Sequence, residues 1–250
     1  MTETSENTKR IRATLRVVMS PGVWFVIAVQ IAFLVALNVG PSDPASSGPS
    51  MTRPFIIITL FMAVLFLLSG AFRSLAIHQE RVTIKEIFTN GLVIFNQFLL
   101  LSFKTLGLLL LVFMFFSSFF LSGMDMEANK EGIRQLSLTA GIVAVIVNFI
   151  FIYWLPLVFV TNNFEVIKTL AASLQIAKAR LAQSGFIAIL VFVPAGISLL
   201  MPEGTELPAI ISLGLLGQVA GWIAYVYCAE FIAGHRNMAK LTDPGDVNPK

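Results

Sequence analysis

Charge is what this chain has least of. Only 12% of its 250 residues are charged and 56% are apolar, whereas soluble domains carry roughly 25% charged residues. A water-soluble globule of this composition would have too little polar surface to stay dispersed. Cysteine is nearly absent: Cys228 stands alone, which excludes an intramolecular disulfide and a thiolate zinc site. The two histidines, His78 and His235, lie in separate segments with no His-Glu-x-x-His spacing, so no zinc hydrolase is written here. A Gly-x-Ser-x-Gly elbow, a phosphate-binding loop and a dinucleotide fingerprint are also missing. Ser117 and Ser118 stand among phenylalanines with no base nearby in sequence, placed to bond back to their own helix. The sequence therefore offers no catalytic residue, no cofactor site and no metal site. With no Asn-x-Ser/Thr acceptor either, nothing points to a glycosylated face.

What the chain does have is long apolar runs. Six can each cross a bilayer: 23–40, 54–72, 105–122, 138–160, 184–201 and 208–229. With the N-terminus inside, fourteen of the seventeen Lys and Arg fall on the inner side and three, Arg53, Lys130 and Arg134, outside. The inner set is Lys9, Arg10, Arg12, Arg16, Arg73, Arg81, Lys85, Lys104, Lys168, Lys178, Arg180, Arg236, Lys240 and Lys250. Retention of cations on the side of synthesis orients polytopic proteins in this way. The scattered basic excess sets topology and touches anionic headgroups. It forms no compact patch, so no nucleic-acid partner is expected.

The expected fold is an all-α polytopic bundle of about six spans. It has a basic cytoplasmic segment (1–22), a membrane domain (23–231) and a cytoplasmic tail (232–250). Residues 23–40 read as a retained first helix, since a cleaved signal has a shorter apolar core and a small-residue cleavage site. Outside loops are short: 41–53 is rich in Pro, Ser and Gly, 124–136 mixes charges, and 202–208 carries Glu203 and Glu206.

Two inner segments read as amphipathic interfacial helices. Thr83 and Glu86 have capping-box spacing, and Asn162 and Glu165 repeat it. After the second, Phe164, Ile167, Leu170, Leu174, Ala177 and Leu181 recur at helical steps with Glu165, Lys168, Gln175 and Lys178 between them. After the first, Asn90-Gly91 interrupts the pattern. The run from Leu92 to Leu121 is then too long for one perpendicular span. Placing Lys104 at the inner interface, with 92–103 lying along it and the span starting near Thr105, resolves the length. One long tilted helix is the alternative. Span two with its capped helix and span three resemble span four with its capped helix and span five, a possible parallel repeat.

Polar groups at membrane depth are the candidate functional positions. They are Gln30, Asn148 and Gln218, with Asn38 nearer the end of its span, and Glu230 is the carboxylate at a span edge. Each amide has a packing role open to it as an interhelical hydrogen bond; Glu230 has one as an interfacial acid paired with Arg236. Convergence of Gln30, Asn148 and Gln218 on one water-accessible cavity would favour transport, and a packed apolar centre with paired amides would favour a scaffold. Pro156 and Pro194 each remove a backbone donor and are expected to kink spans four and five. Gly217 and Gly221 have the spacing that allows close helix approach. Trp24, Trp154, Tyr153, Tyr225 and Tyr227 are placed as interfacial rings, and Trp222 as core.

Gly70-Ala71-Phe72-Arg73, Ile84-Lys85-Glu86-Ile87-Phe88-Thr89-Asn90-Gly91 and the segment from Phe164 to Leu181 carry a resemblance. Over most of 54–232 the chain resembles a loose group of bacterial six-span membrane proteins. That group includes the membrane domain attached to some glycerophosphodiester phosphodiesterases. The resemblance implies a plasma-membrane helical bundle with interfacial helices; the catalytic centre of those enzymes lies in a separate soluble domain, so no catalytic residue carries over. The reading is a non-enzymatic membrane protein with a scaffold, accessory or lipid-organising role, located in a bacterial inner membrane with both termini cytoplasmic. Its partners would be membrane lipids, a second copy or another membrane protein. The alternative is a small transporter or the membrane subunit of one.

Overall fold

The computed structural model describes residues 3–38, 52–77, 81–121, 149, 151–199 and 206–242. Asn148, most of the 138–160 run, the 124–136 loop and the tail beyond Thr242 lie outside the described residues. Within them the chain is helical throughout, with no strand. The helices are α1 (Glu3–Val18), α2 (Pro21–Asn38), α3 (Thr52–Ile77), α4 (Ile84–Leu121), α5 (Trp154–Thr161), α6 (Val166–Ala179), α7 (Leu181–Leu199) and α8 (Leu207–Thr242). Four are long and apolar enough to cross a membrane, over Pro21–Asn38, Pro54–Ala76, Ile84–Val112 and Leu207–Gly234. A fifth crossing is available if α6 and α7, bent by 109° at their junction, count as one.

Only 22% of three of these windows, and 33% of the α3 window, is buried inside the protein. The remainder is an apolar skin that includes Phe55, Ile58, Leu92, Val93 and Leu111. Soluble monomers rarely expose apolar patches above a few hundred Å². Lipid is the solvent that suits this surface.

α4 begins as its sequence specifies. The Thr83 amide donates to Glu86 Oε2 at 2.8 Å, and the Glu86 amide donates to Thr83 Oγ1 at 3.3 Å, a reciprocal capping box. The helix then runs unbroken for 38 residues, about 57 Å at 1.5 Å per residue. Asn90-Gly91 does not interrupt it, because both residues are used in packing. Asn90 Nδ2 donates to Ser74 Oγ at 2.8 Å. A Cβ at Gly91 would meet Phe66 Cζ at 2.9 Å, and one at Gly70 would overlap the Ile87 carbonyl oxygen. The two segments quoted above for the family resemblance, 70–73 and 84–91, thus pack against each other.

Of the two arrangements open for 92–103, an interfacial segment or part of one long helix, the structure has the second. The segment continues the helix, and its Ile94, Phe98 and Leu101 ridge is buried in the core. Lys104 is exposed and lies twenty residues past Ile84, about 30 Å along the helix. It therefore does not share a level with Lys85.

The second capped start also differs from expectation. Asn162 terminates α5 in the left-handed conformation (φ 53°), which Asn tolerates better than most residues. Its Oδ1 accepts from Arg73 Nη1 at 2.7 Å. Glu165 is the residue before α6 and pairs with Lys168 at 2.6 Å. α6 packs through Thr169, Ser173 and Ala177; Trp154 Nε1 donates to Thr169 Oγ1 at 2.8 Å. Ile167, from the expected apolar face, is 81% exposed. Small side chains give the helix its fully buried contacts, with Leu170 and Ile176 packed partly beside them and Ile167 left facing out. The proposed repeat does not extend to these helices, since α4 is unbroken where the α6–α7 pair bends.

The ends of α3 and α5 meet through Arg73 and Asn162. The Gly22 amide donates to the Val82 carbonyl at 3.1 Å, joining the start of α2 to the approach to α4. The Arg180 guanidinium lies 4.4 Å from the Phe231 ring centroid on α8. One end of the bundle therefore gathers Arg73, Arg81, Lys85 and Arg180. α1, which carries Arg12 and Arg16, packs along α8. Most of the expected interfacial rings are instead core: Tyr153, Trp154 and Tyr225 are buried, as is Trp222, and Trp24 is exposed. α8 continues to Thr242, through the boundary expected at residue 231.

Candidate functional site

The bundle centre is an aromatic cluster around Phe72 in the C-terminal part of α3. Its ring stacks on Tyr225 with centroids 4.3 Å apart. It also touches Trp222 at 5.3 Å, Phe159 at 5.4 Å and Phe98 at 6.2 Å. Tyr225 Oη donates to the Phe72 carbonyl at 3.4 Å, so one polar atom of this ring is bound inside the protein.

Beside the cluster lies a cavity of about 290 Å³. α2 contributes Gln30, α3 Leu68 and Phe72, and the α5 region Phe151, Leu155 and Pro156. α7 supplies Ile187 and Val191, and α8 supplies Gln218, Gly221, Trp222 and Tyr225. Two of the three amides expected to define an intramembrane site, Gln30 and Gln218, therefore meet there. Asn148 lies outside the described residues. Gln30 Oε1 accepts from Trp222 Nε1 at 3.4 Å, a long contact that fixes the amide's orientation.

Glu230 does not belong to this cavity. It is half-buried on α8 beside Val17, Leu75 and Val160. Asn38 Nδ2 donates to its own helix at Leu34 O, at 2.8 Å. Cys228 is buried among apolar side chains, as a small hydrophobe would be. The described residues hold no group of His, Cys, Asp and Glu able to bind a metal.

The prolines act differently. Pro156 lines the cavity. Its ring has no amide hydrogen and crowds the carbonyl of residue 152, and helix geometry gives way to a turn at Ile152–Tyr153. α5 starts immediately after this break, so Pro156 falls in a first turn where a missing donor is tolerated. Pro194 is instead accommodated within α7, which runs on to Leu199; Gly217 faces its Cβ. Gly221 is not a close-approach glycine: a Cβ there would meet nothing within 4 Å. At Gly214 a Cβ would strike the Leu34 side chain, and that is where α8 tightens on α2.

Sequence reasoning missed Phe72 and Tyr225 as lining residues, although part of the signal was present. Gln218, Trp222 and Tyr225 stand four and three residues apart and share one face of α8. Chemically the site is a mainly apolar pocket with two amides and an indole N–H. Among the described residues, no Asp, Glu, Lys, Arg or His lines it. It suits a neutral, largely apolar molecule, since a bare charge in such walls would be costly. The chain matches no protein-family model, no curated protein and no solved structure.

Proposed function

We propose that this protein is a non-enzymatic integral membrane protein with an accessory, lipid-organising role, and that its central cavity holds a neutral amphiphile. The proposal includes six spans in a bacterial inner membrane, both termini cytoplasmic, and α6 lying along the inner leaflet. The observation that carries it is a mainly apolar cavity of about 290 Å³ at the bundle centre, in which Gln30 is paired with Trp222 and no charged side chain stands among the described lining residues. That volume is at the lower end of the range of small-molecule pockets. The resemblance to six-span bacterial membrane domains supports the same setting. A permease-like subunit is the second reading, favoured by the meeting of Gln30 and Gln218 in that cavity. It would draw on a partner for energy, because the described residues lining the cavity include no Asp, Glu, Lys, Arg or His for proton coupling.

Gly221→Phe provides the test, since its side chain enters the cavity from a position where a Cβ has open space. After purification in mild detergent, extraction and mass spectrometry are expected to show a neutral amphiphile with the wild type. The variant, folded to a similar melting temperature, is expected to lose at least about nine-tenths of it, a penalty near 1.4 kcal/mol. Identical lipid extracts from the two proteins would remove the cavity from the account. A co-purifying ATPase in fixed ratio would select the permease reading.

A further inference from the structure

A larger recess of about 580 Å³ opens on the flank of the bundle. One wall is α1, with Ile11, Thr14 and Leu15; the other is α7, with Gln183, Phe186 and Leu190; the floor is α8. Its bordering side chains are apolar and partly uncovered, Ile11 and Leu15 being about half exposed and Phe186 more so. From Gln183 to Leu190 it runs about 10 Å along α7.

Thr14 is the unusual member. It is 2% exposed, and its Oγ1 has no hydrogen-bond partner. Other helical hydroxyls here, on Ser74, Thr105 and Thr161, bond back to a carbonyl four residues earlier at 2.7–2.8 Å. A buried hydroxyl left unpaired is unfavourable unless something supplies an acceptor. On the ridge of α1 next to Ile11 and Leu15, 100° around the helix, stand Arg12 and Arg16, both exposed. The recess thus joins a slot for a hydrocarbon chain, an unpaired hydroxyl in its wall and two exposed arginines on the adjacent ridge of α1.

We infer that this recess binds an anionic phospholipid. One acyl chain lies between α1 and α7, Thr14 Oγ1 donates to an ester carbonyl, and Arg12 and Arg16 hold the phosphate. A second copy docked on this face would bring two like-charged Arg12 and Arg16 pairs into one interface, whereas a phosphate offers them the opposite charge, so charge favours lipid. The inference rests on the membrane reading but not on the central cavity.

The test titrates the purified full-length protein with phosphatidylglycerol or phosphatidylcholine of identical chains, read by native mass spectrometry. The wild type is expected to prefer phosphatidylglycerol. The double variant Arg12→Gln/Arg16→Gln, altered only at exposed positions, is expected to bind it about 30-fold more weakly and lose the preference. Thr14→Val is expected to weaken binding about fivefold while raising the melting temperature of the delipidated protein, because it removes the unpaired hydroxyl. A purely structural Thr14 would not give that opposed pair of signs. Gly221→Phe should leave phosphatidylglycerol binding unchanged, which separates this site from the cavity. Equal affinity for the two lipids, or a Thr14→Val variant that binds normally, would overturn the inference. So would a dimer that Leu15→Trp abolishes without affecting lipid.

Discussion

Gly70→Ala is expected to lower the unfolding free energy in detergent by about 3 kcal/mol. Alanine is the better helix former by about 1 kcal/mol, so the clash must outweigh a local gain. It does so because the added methyl overlaps the Ile87 carbonyl oxygen, with the Gly91 amide nitrogen 3.0 Å away. These are backbone atoms of α4, which no rotamer change can move. The helices must separate, and in lipid no hydrophobic force between them compensates, because association there depends on close packing. Gly221→Ala is the matched control: with nothing within 4 Å, it should be neutral or stabilise by about 0.5–1 kcal/mol. Thermal unfolding of the two variants side by side reads the difference. A Gly70→Ala protein as stable as the wild type would mean that α3 and α4 are not in contact at this point.

Phe72→Ala should be the most damaging side-chain truncation, by about 3–5 kcal/mol. The ring touches four other aromatic rings contributed by α4, α5 and α8, and well-placed aromatic pairs contribute about 0.5–1.5 kcal/mol each beyond burial. In a bilayer, transfer of the exposed ring to lipid is not penalised as it would be in water. The loss is therefore mainly of packing. Truncation also merges the vacated space with the neighbouring cavity, so the variant should release the cavity's bound amphiphile as well. Phe72→Leu, which keeps most of the volume, should cost less than half as much. A Phe72→Ala variant destabilised by under about 1 kcal/mol would show that the aromatic cluster does not hold these helices together.

The apolar runs were legible because a membrane span needs only length and low charge. Expected spans 23–40, 54–72 and 208–229 match windows at Pro21–Asn38, Pro54–Ala76 and Leu207–Gly234. The Thr83–Glu86 cap was legible too, being a local exchange of hydrogen bonds. What failed depended on partners distant in sequence. Asn90-Gly91 reads as a break until Ser74 and Phe66 are set beside it. Asn162 reads as a helix start until Arg73 holds it at a helix end. The exposure of Ile167 on α6 could not be foreseen from spacing alone, because Trp154 draws Thr169 inward and sets the helix's rotation. Gln30 and Gln218 were identifiable individually as amides at depth. Their meeting was not, because it requires the relative rotations of α2 and α8, set by contacts such as Gly214 against Leu34.

The central claim is that this is a bundle solvated by lipid, with its basic end on one side of the membrane. Cysteine accessibility in intact cells tests it, using Lys85→Cys and Glu206→Cys made separately in a Cys228→Ala background. Both positions are exposed, at the starts of α4 and α8. An impermeant thiol reagent is expected to label position 206 in intact cells and position 85 only after permeabilisation. Labelling of both positions from the same side, or recovery of the protein in the soluble fraction, would contradict the account.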